Sequence, residues 1–320
     1  MKRFLSIASM CLAVVAVATG QDTLVVHEWG TFTTIAGEDG TALEWRPFAA
    51  TNDLPNFVYE IGGLPHGIRE YLPKGEMMAK VRMETPVIYF YSAQEAQVSV
   101  KVDFPDGTIT EWFPAAHRIG AGIDWGRFRI VPGEKANLRQ DDSNSHYYAA
   151  RETDAAPVIV CGGEGWQYEK FLFYRGVGNF GLPLAVKLNG DKVHVRGDDS
   201  NELGEVVVFE NSGGNIGYRV ASVSDGVAEI ERPALEQDSI DAVCSELEQV
   251  LIAQGLYEKE AKAMVNTWRD SWFEEGLRVF YVLPRVSTDA VLPITIEPAP
   301  AELVRVMVGR VEIITPEVEN

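Results

Sequence analysis

Polar and apolar positions alternate along most of this chain, and one stretch interrupts that period with another. Val98, Val100 and Val102 fall on one face of an extended segment, with Ser99 and Lys101 between them. That period of two predicts a half-buried strand. Val87-Ile88-Tyr89-Phe90-Tyr91 is an unbroken apolar run of the kind that is covered on both faces. Leu24 to Ile35 reads as a strand near the start. Pro105-Asp106-Gly107 is a turn, and Thr108 to Phe113 follows it, which predicts a hairpin. Strand character continues at His146–Ala150, Val158–Cys161, Glu169–Tyr174, Leu184–Leu188, Lys192–Arg196, Glu205–Glu210 and Gly217–Val223. Asn189-Gly190 supplies a tight turn between two of these. Residues 46–80 carry Pro47, Pro55, Pro65 and Pro73 and read as irregular; residues 132–145 read as a polar loop.

Beyond residue 237 the period becomes 3.6. Ile240, Val243, Cys244, Leu247 and Leu251 make one helical stripe, with Asp238 or Ser239 as N-cap and Gly255 as the stop. Tyr257, Ala261, Met264, Val265, Trp268, Trp272 and Phe273 make a second, ending at Gly276. Two helices joined by so short a connection form an αα-hairpin. Leu277–Leu283 and Val291–Ile296 then return to strand. Leu303–Ile314 is read as strand from the alternation of Val304, Val306 and Val308.

The pattern therefore predicts a mainly β protein, one or two antiparallel β-sandwiches with an inserted αα-hairpin. Its parts are 1–20, 21–132, 133–236, the hairpin at 237–276, and C-terminal strands at 277–320 that return to the β core. Ile88–Tyr91 followed by Val100-Lys101-Val102 resembles Leu172–Tyr174 followed by Val186-Lys187-Leu188, which would make two related modules.

Composition adds a compartment. Met1-Lys2-Arg3, an apolar run from Phe4 to Ala18 and a small-residue site near Gly20/Gln21 have the form of a cleaved secretory signal. The expectation is a secreted or periplasmic protein with no transmembrane segment after cleavage. Lys2 and Arg3 are the only charges in that segment, so the remainder carries 26 basic and 47 acidic side chains, a formal charge of −21. Such a surface repels nucleic acid. Cys161 and Cys244 survive cleavage and in an oxidising compartment are either a disulfide or two thiols.

No nucleophile elbow, zinc-protease helix, Cys-x-x-Cys or phosphate loop is present. Gly176 to Gly181 spells a dinucleotide pattern, but Leu182-Pro183 forbids the helix that must follow. Four groups remain. His27 and Glu28 adjoin on a strand and so face opposite ways. His146, Tyr148, Glu152 and Asp154 share a face if residues 146–154 are extended, with Arg151 opposite. Arg82 and Glu84 precede the buried strand, where Glu84 would meet Arg151 or Arg175. Trp268 and Trp272 stand one turn apart with Arg269 and Asp270 beside them. Glu84, Glu152 and Asp154 are thus the candidate acid–base groups. His27 and His146 are candidate ligands for a divalent metal. Trp268, Arg269, Asp270, Trp272 and Arg151 are candidate ligand-binding residues.

Three segments carry a family resemblance: Val26-His27-Glu28-Trp29-Gly30-Thr31-Phe32-Thr33, Met83–Tyr91 (Met-Glu-Thr-Pro-Val-Ile-Tyr-Phe-Tyr) and Thr267–Gly276 (Thr-Trp-Arg-Asp-Ser-Trp-Phe-Glu-Glu-Gly). The chain resembles a group of uncharacterised secreted bacterial proteins over most of its length. The resemblance implies an address and no activity. The sequence reading is a binding or interaction protein for an envelope or extracellular ligand, such as a polysaccharide. The alternative is a secreted hydrolase, metal-assisted or glycoside-acting.

Overall fold

The computed structural model describes residues 24–47, 53–61, 77–163, 165–198, 203–235 and 239–314. The expected signal and its cleavage point, the Pro65 and Pro73 stretch and Asp238 lie outside these.

The first strands are β1 (Val25–Gly37), β2 (Tyr59–Glu60), β3 (Val81–Tyr91), β4 (Ala96–Asp103), β5 (Gly107–Phe113), β6 (Arg118–Gly120) and β7 (Gly122–Ile130). Next come β8 (Val158–Gly162), β9 (Gly165–Glu169), β10 (Leu172–Gly178), β11 (Leu184–Asn189), β12 (Lys192–Gly197), β13 (Glu205–Ser212), β14 (Asn215–Ser222) and β15 (Val227–Glu231). Helices α1 (Ile240–Ala253) and α2 (Glu258–Trp272) follow, then β16 (Gly276–Val282), α3 (Arg285–Val291), β17 (Ile294–Glu297) and β18 (Glu302–Ile314).

Three layers result. The middle one is a nine-stranded sheet in the order β14-β13-β16-β18-β1-β3-β10-β5-β2. Its strands come from early, middle and late parts of the chain. A sheet of order β17-β4-β7-β8-β9, with β6 beside β7, and the three-stranded sheet β11-β12-β15 supply the second layer. Val26, Phe32, Ile88 and Phe90 of the central sheet pack there against Val98, Val100, Phe128, Ile130, Val186 and Val195. The opposite face carries Trp29, Val87, Tyr89, Phe209, Phe280 and Val308. The third layer covers these with Val243, Leu247, Leu251, Met264, Val265, Trp268 and Trp272 of the helical hairpin. Parity decides which side chain reaches which layer, because successive residues of a strand point to opposite faces.

The hairpin of helices forms where the period demanded. Ser239 accepts the Asp241 N–H at the start of α1, and Gly255 (φ 104°) takes the left-handed conformation that ends it. The strand order is antiparallel throughout except for β1 and β18, which pair in parallel over thirteen residues. Asn189-Gly190 makes the expected β11–β12 hairpin.

Two local readings are corrected. Val98–Phe104 and Thr108–Phe113 are not a hairpin: β4 pairs with β7 and β17, while β5 pairs with β10 and β2 in the central sheet. The turn at Pro105-Asp106-Gly107 carries the chain between layers. Residues 146–151 are not extended but a 3-10 turn, capped by the Ser145 side chain on the Tyr147 N–H. The apolar side chains Tyr147 and Ala150, three apart, go inward together, a spacing that suits a helical turn and not a strand. The helix α3 had no reading of its own. Cys161 is exposed and Cys244 buried, and both are unpaired thiols.

Candidate functional site

The three segments singled out by resemblance meet on the helix-covered face of the central sheet. β1 and β3 pair with Trp29 opposite Val87 and Thr31 opposite Glu84, so β3 holds one extra residue between. Thr85 takes up that residue with φ 47°, and Gly30 lets the Pro86 backbone close in: a Cβ on Gly30 would sit 2.9 Å from the Pro86 Cα. The bulge reverses the parity of β3. Arg82 and Glu84 before it, and Val87 and Tyr89 after it, all face the helices.

A row of charged residues results, crossing six strands on that face. From β5 inward it contains Glu111, Arg175 on β10, Arg82 and Glu84 on β3, Thr33 on β1, Arg310 and Glu312 on β18, and Arg278 on β16. Arg82 Nε lies 3.0 Å from Glu84 Oε1, and Thr33 donates to Glu84 Oε2 at 3.1 Å. Arg175, fully buried, donates through Nη1 to Asp53 Oδ1 at 2.9 Å and has Glu111 Oε1 at 4.0 Å. His146 Nε2 is 3.2 Å from the other Asp53 oxygen, and its ring lies 5.2 Å from that of Trp268. Arg278 spans Glu312 and the carbonyls of Trp272 and Glu275 at the far end.

Glu84 and His146 therefore border one row of charges: Glu84 pairs with Arg82, and His146 with the Asp53 that Arg175 holds. The other candidates lie elsewhere. His27 reaches Glu260 of α2 at 2.7 Å, and Glu28 turns to the opposite face, where it meets Arg305 and Tyr174. Along β1, His27 and Thr31, the partner of Glu84, are four residues or roughly 13 Å apart. Arg151 forms a bidentate pair with buried Glu169 among the rings of Phe57, Tyr147 and Tyr148. Glu152 is an exposed C-cap, and exposed Asp154 pairs with Lys259. Arg269 pairs with Asp241 and Asp270 is exposed. Trp272 is wholly buried against Phe280. Among the described residues, no group of three or more His, Cys, Asp or Glu side chains is placed to hold a metal ion.

Asp53, Glu111 and Glu260 had no role in the sequence reading. Glu260 is the one that was legible: it interrupts the apolar stripe of α2 one position before Ala261, and an acid on a buried face needs a partner. Asp53 sits in proline-rich irregular chain, where no periodicity points anywhere.

Burial alone would raise the Asp53 carboxyl, but Arg175 and His146 outweigh it and hold it well below the ordinary carboxylate range. A depressed carboxyl stabilises the fold above its unfolded-chain value, about 3.9, and that contribution is lost as pH falls below it. Asp53→Asn is accordingly expected to lower the urea midpoint by a constant amount from pH 7 to about 5, with the gap to wild type narrowing from about pH 4 downward. A gap as wide at pH 2 as at pH 7 would contradict this role for Asp53.

No family model and no curated protein matches the chain. Among solved structures, the Fcho1 Mu homology domain of Danio rerio, with a bound Eps15 peptide, is similar with a TM-score of 0.34 at 7% identity, over 92% of this chain and 99% of that one. Among the described residues no helix is long and apolar enough to cross a membrane.

Proposed function

We propose that this is a secreted or periplasmic binding protein of the bacterial group it resembles, and that its ligand is a neutral, hydroxyl-rich envelope or extracellular molecule of the polysaccharide type. One observation carries the reading. At the β10 end of that row two buried donors, Arg175 Nε in the row and Trp268 Nε1 on α2, have no acceptor. They flank the Asp53 carboxylate, through Arg175 on one side and, on the other, His146 with its ring tilted 5.2 Å from that of Trp268. A carboxylate has about four lone-pair positions, more than its fixed partners use. A sugar hydroxyl both accepts and donates, so it answers both demands at once. A charged ligand would upset the pairing.

Asp53, held as the anion, is an acceptor and has no proton to give a leaving group. That favours binding over glycoside cleavage, which needs a protonated acid beside its carboxylate.

The test is calorimetry and a glycan array with the purified protein. Binding of a neutral glycan is expected, insensitive to salt. Trp268→Phe, which removes one N–H and keeps a ring, should weaken it about tenfold, the cost of one lost hydrogen bond of about 1.4 kcal/mol. No binding by the wild-type protein to any neutral glycan, or full affinity in the folded variant, would sink the reading. Release of reducing ends would replace it with the hydrolase.

A further inference from the structure

The other end of β1 holds a second polar group. His27 Nδ1 lies 2.7 Å from Glu260 Oε2, and that oxygen also accepts the Tyr257 N–H at 2.8 Å. An oxygen that already accepts from a peptide N–H accepts from the imidazole as well. Nδ1 therefore carries the proton of this bond, and in the neutral imidazole the lone pair is on Nε2. His27 Nε2 is buried and has no partner. The Tyr257 ring lies tilted over the imidazole at 4.5 Å and is itself half exposed, so it covers the pair from the outside. Tyr91 stands edge-on at 5.4 Å. Burial, and then Glu260, push its phenol far above the ordinary range, so it keeps its proton and remains a donor. Tyr91 and Val25 also line a cleft of about 630 Å³ that runs past Pro132, Leu138, Asp154 and Lys170.

A carboxylate that fixes an imidazole through Nδ1, leaving Nε2 without a partner and a phenol ring edge-on at 5.4 Å, is the arrangement of a general base with a hydroxyl donor nearby. We propose that His27 and Glu260 form a proton-accepting dyad that hydrolyses small acyl esters reaching it from this cleft once Tyr257 swings aside. His27 Nε2 takes a proton from water, and the water oxygen bonds to the acyl carbon. Tyr91 donates to the carbonyl oxygen as negative charge develops there. The bond from acyl carbon to alcohol oxygen breaks, and the proton on Nε2 passes to the departing alkoxide. Acid and alcohol leave, and the dyad is restored with no redox partner. Glu260 is a positioning residue: it holds the tautomer and steadies the imidazolium. The proposal goes beyond the binding reading, which needs only the charged row at the other end of β1.

The experiment is hydrolysis of p-nitrophenyl acetate by the purified protein. Turnover above buffer is expected. His27→Gln should slow it by about 100-fold or more, the contribution of a positioned base. Tyr91→Phe should slow it by roughly 10- to 100-fold as one oxyanion donor is lost. Tyr257→Ala, at a half-exposed position, should retain or raise the rate. Because His27→Gln may disturb the core, diethyl pyrocarbonate labelling provides a second measure: mass spectrometry should find the carbethoxyl group on His27, formed faster in Tyr257→Ala. The proposal is overturned if wild type and Tyr257→Ala both hydrolyse no faster than buffer. Hydrolysis that survives in folded His27→Gln overturns it equally. Neither result touches glycan binding, so the two readings fail separately.

Discussion

Arg305→Leu is expected to cost about 3–5 kcal/mol of stability, the penalty for stranding a buried charge. The stranded charge is Glu28. Its carboxylate is fully buried between the central sheet and the second layer. Arg305 Nε donates to Oε2, and the Tyr174 hydroxyl donates to Oε1 at 2.5 Å. Burial works against the charge on Arg305, yet Glu28 outweighs it and holds the guanidinium pKa above its ordinary value. Burial, and then Glu28, raise Tyr174 as well, so that hydroxyl stays protonated and remains a donor. Arg305 also bonds Asp289 of α3 at 2.7 Å, so the pair ties β1, β18 and that helix together. Without the guanidinium the carboxylate keeps its desolvation cost and loses most of its compensation. The double change Glu28→Leu with Arg305→Leu should recover much of the loss, because two apolar groups leave no buried charge unpaired. Urea unfolding of both single variants and the double variant measures this. A single variant within about 1 kcal/mol of wild type would show that the pair is not the structural tie its burial implies.

Trp272→Ala should cost about as much, roughly 3–5 kcal/mol, through a different cause. The indole is fully buried at the end of α2, with its ring 5.2 Å from that of Phe280. Its carbonyl accepts from Arg278 Nη1, so the same residue fixes helix to sheet through backbone and side chain. Alanine leaves a cavity that β16 and α2, both pinned by Arg278, cannot close. Trp166→Ala is the control: that indole is 63% exposed on β9, and its loss should change stability by less than about 0.5 kcal/mol. Equal losses at the two positions in thermal or urea unfolding would refute the packing argument.

What the sequence made legible follows from the range of the interaction involved. The helical hairpin was readable because Val243, Leu247 and Leu251 repeat at the helical period and Ser239 and Gly255 mark its ends. The opposed directions of His27 and Glu28 were readable because strand parity is local. Glu84 was expected to meet Arg151 or Arg175, and it pairs instead with Arg82 and Thr33. What failed depended on distant chain. Nothing local separates a turn that folds a strand back from one that sends it to another layer, and so Pro105-Asp106-Gly107 misled. The alternation of His146, Tyr148 and Glu152 suited a strand, while Ser145 and the inward packing of Tyr147 and Ala150 decided for a 3-10 turn. The partnership of Glu260 with His27 spans 233 residues, and only the interrupted stripe on α2 hinted at it.

The parallel pairing of β1 with β18 also governs how the molecule is made. The earliest described strand and the latest lie side by side in the middle of the nine-stranded sheet, with β3 flanking one and β16 the other. A chain growing from its N-terminus holds β1 and β3 long before β18 exists. Until about residue 314 emerges, the sheet remains two halves with open edges, and β1 lacks one neighbour. Closure requires a contact between strands far apart in the sequence, the slowest kind to find. A chain so arranged keeps that sheet unfinished until β18 has been made. The same delay leaves two long apolar edges exposed to other chains, so recombinant yield should depend on keeping unfinished chains apart, through slow expression or a chaperone that masks strand edges.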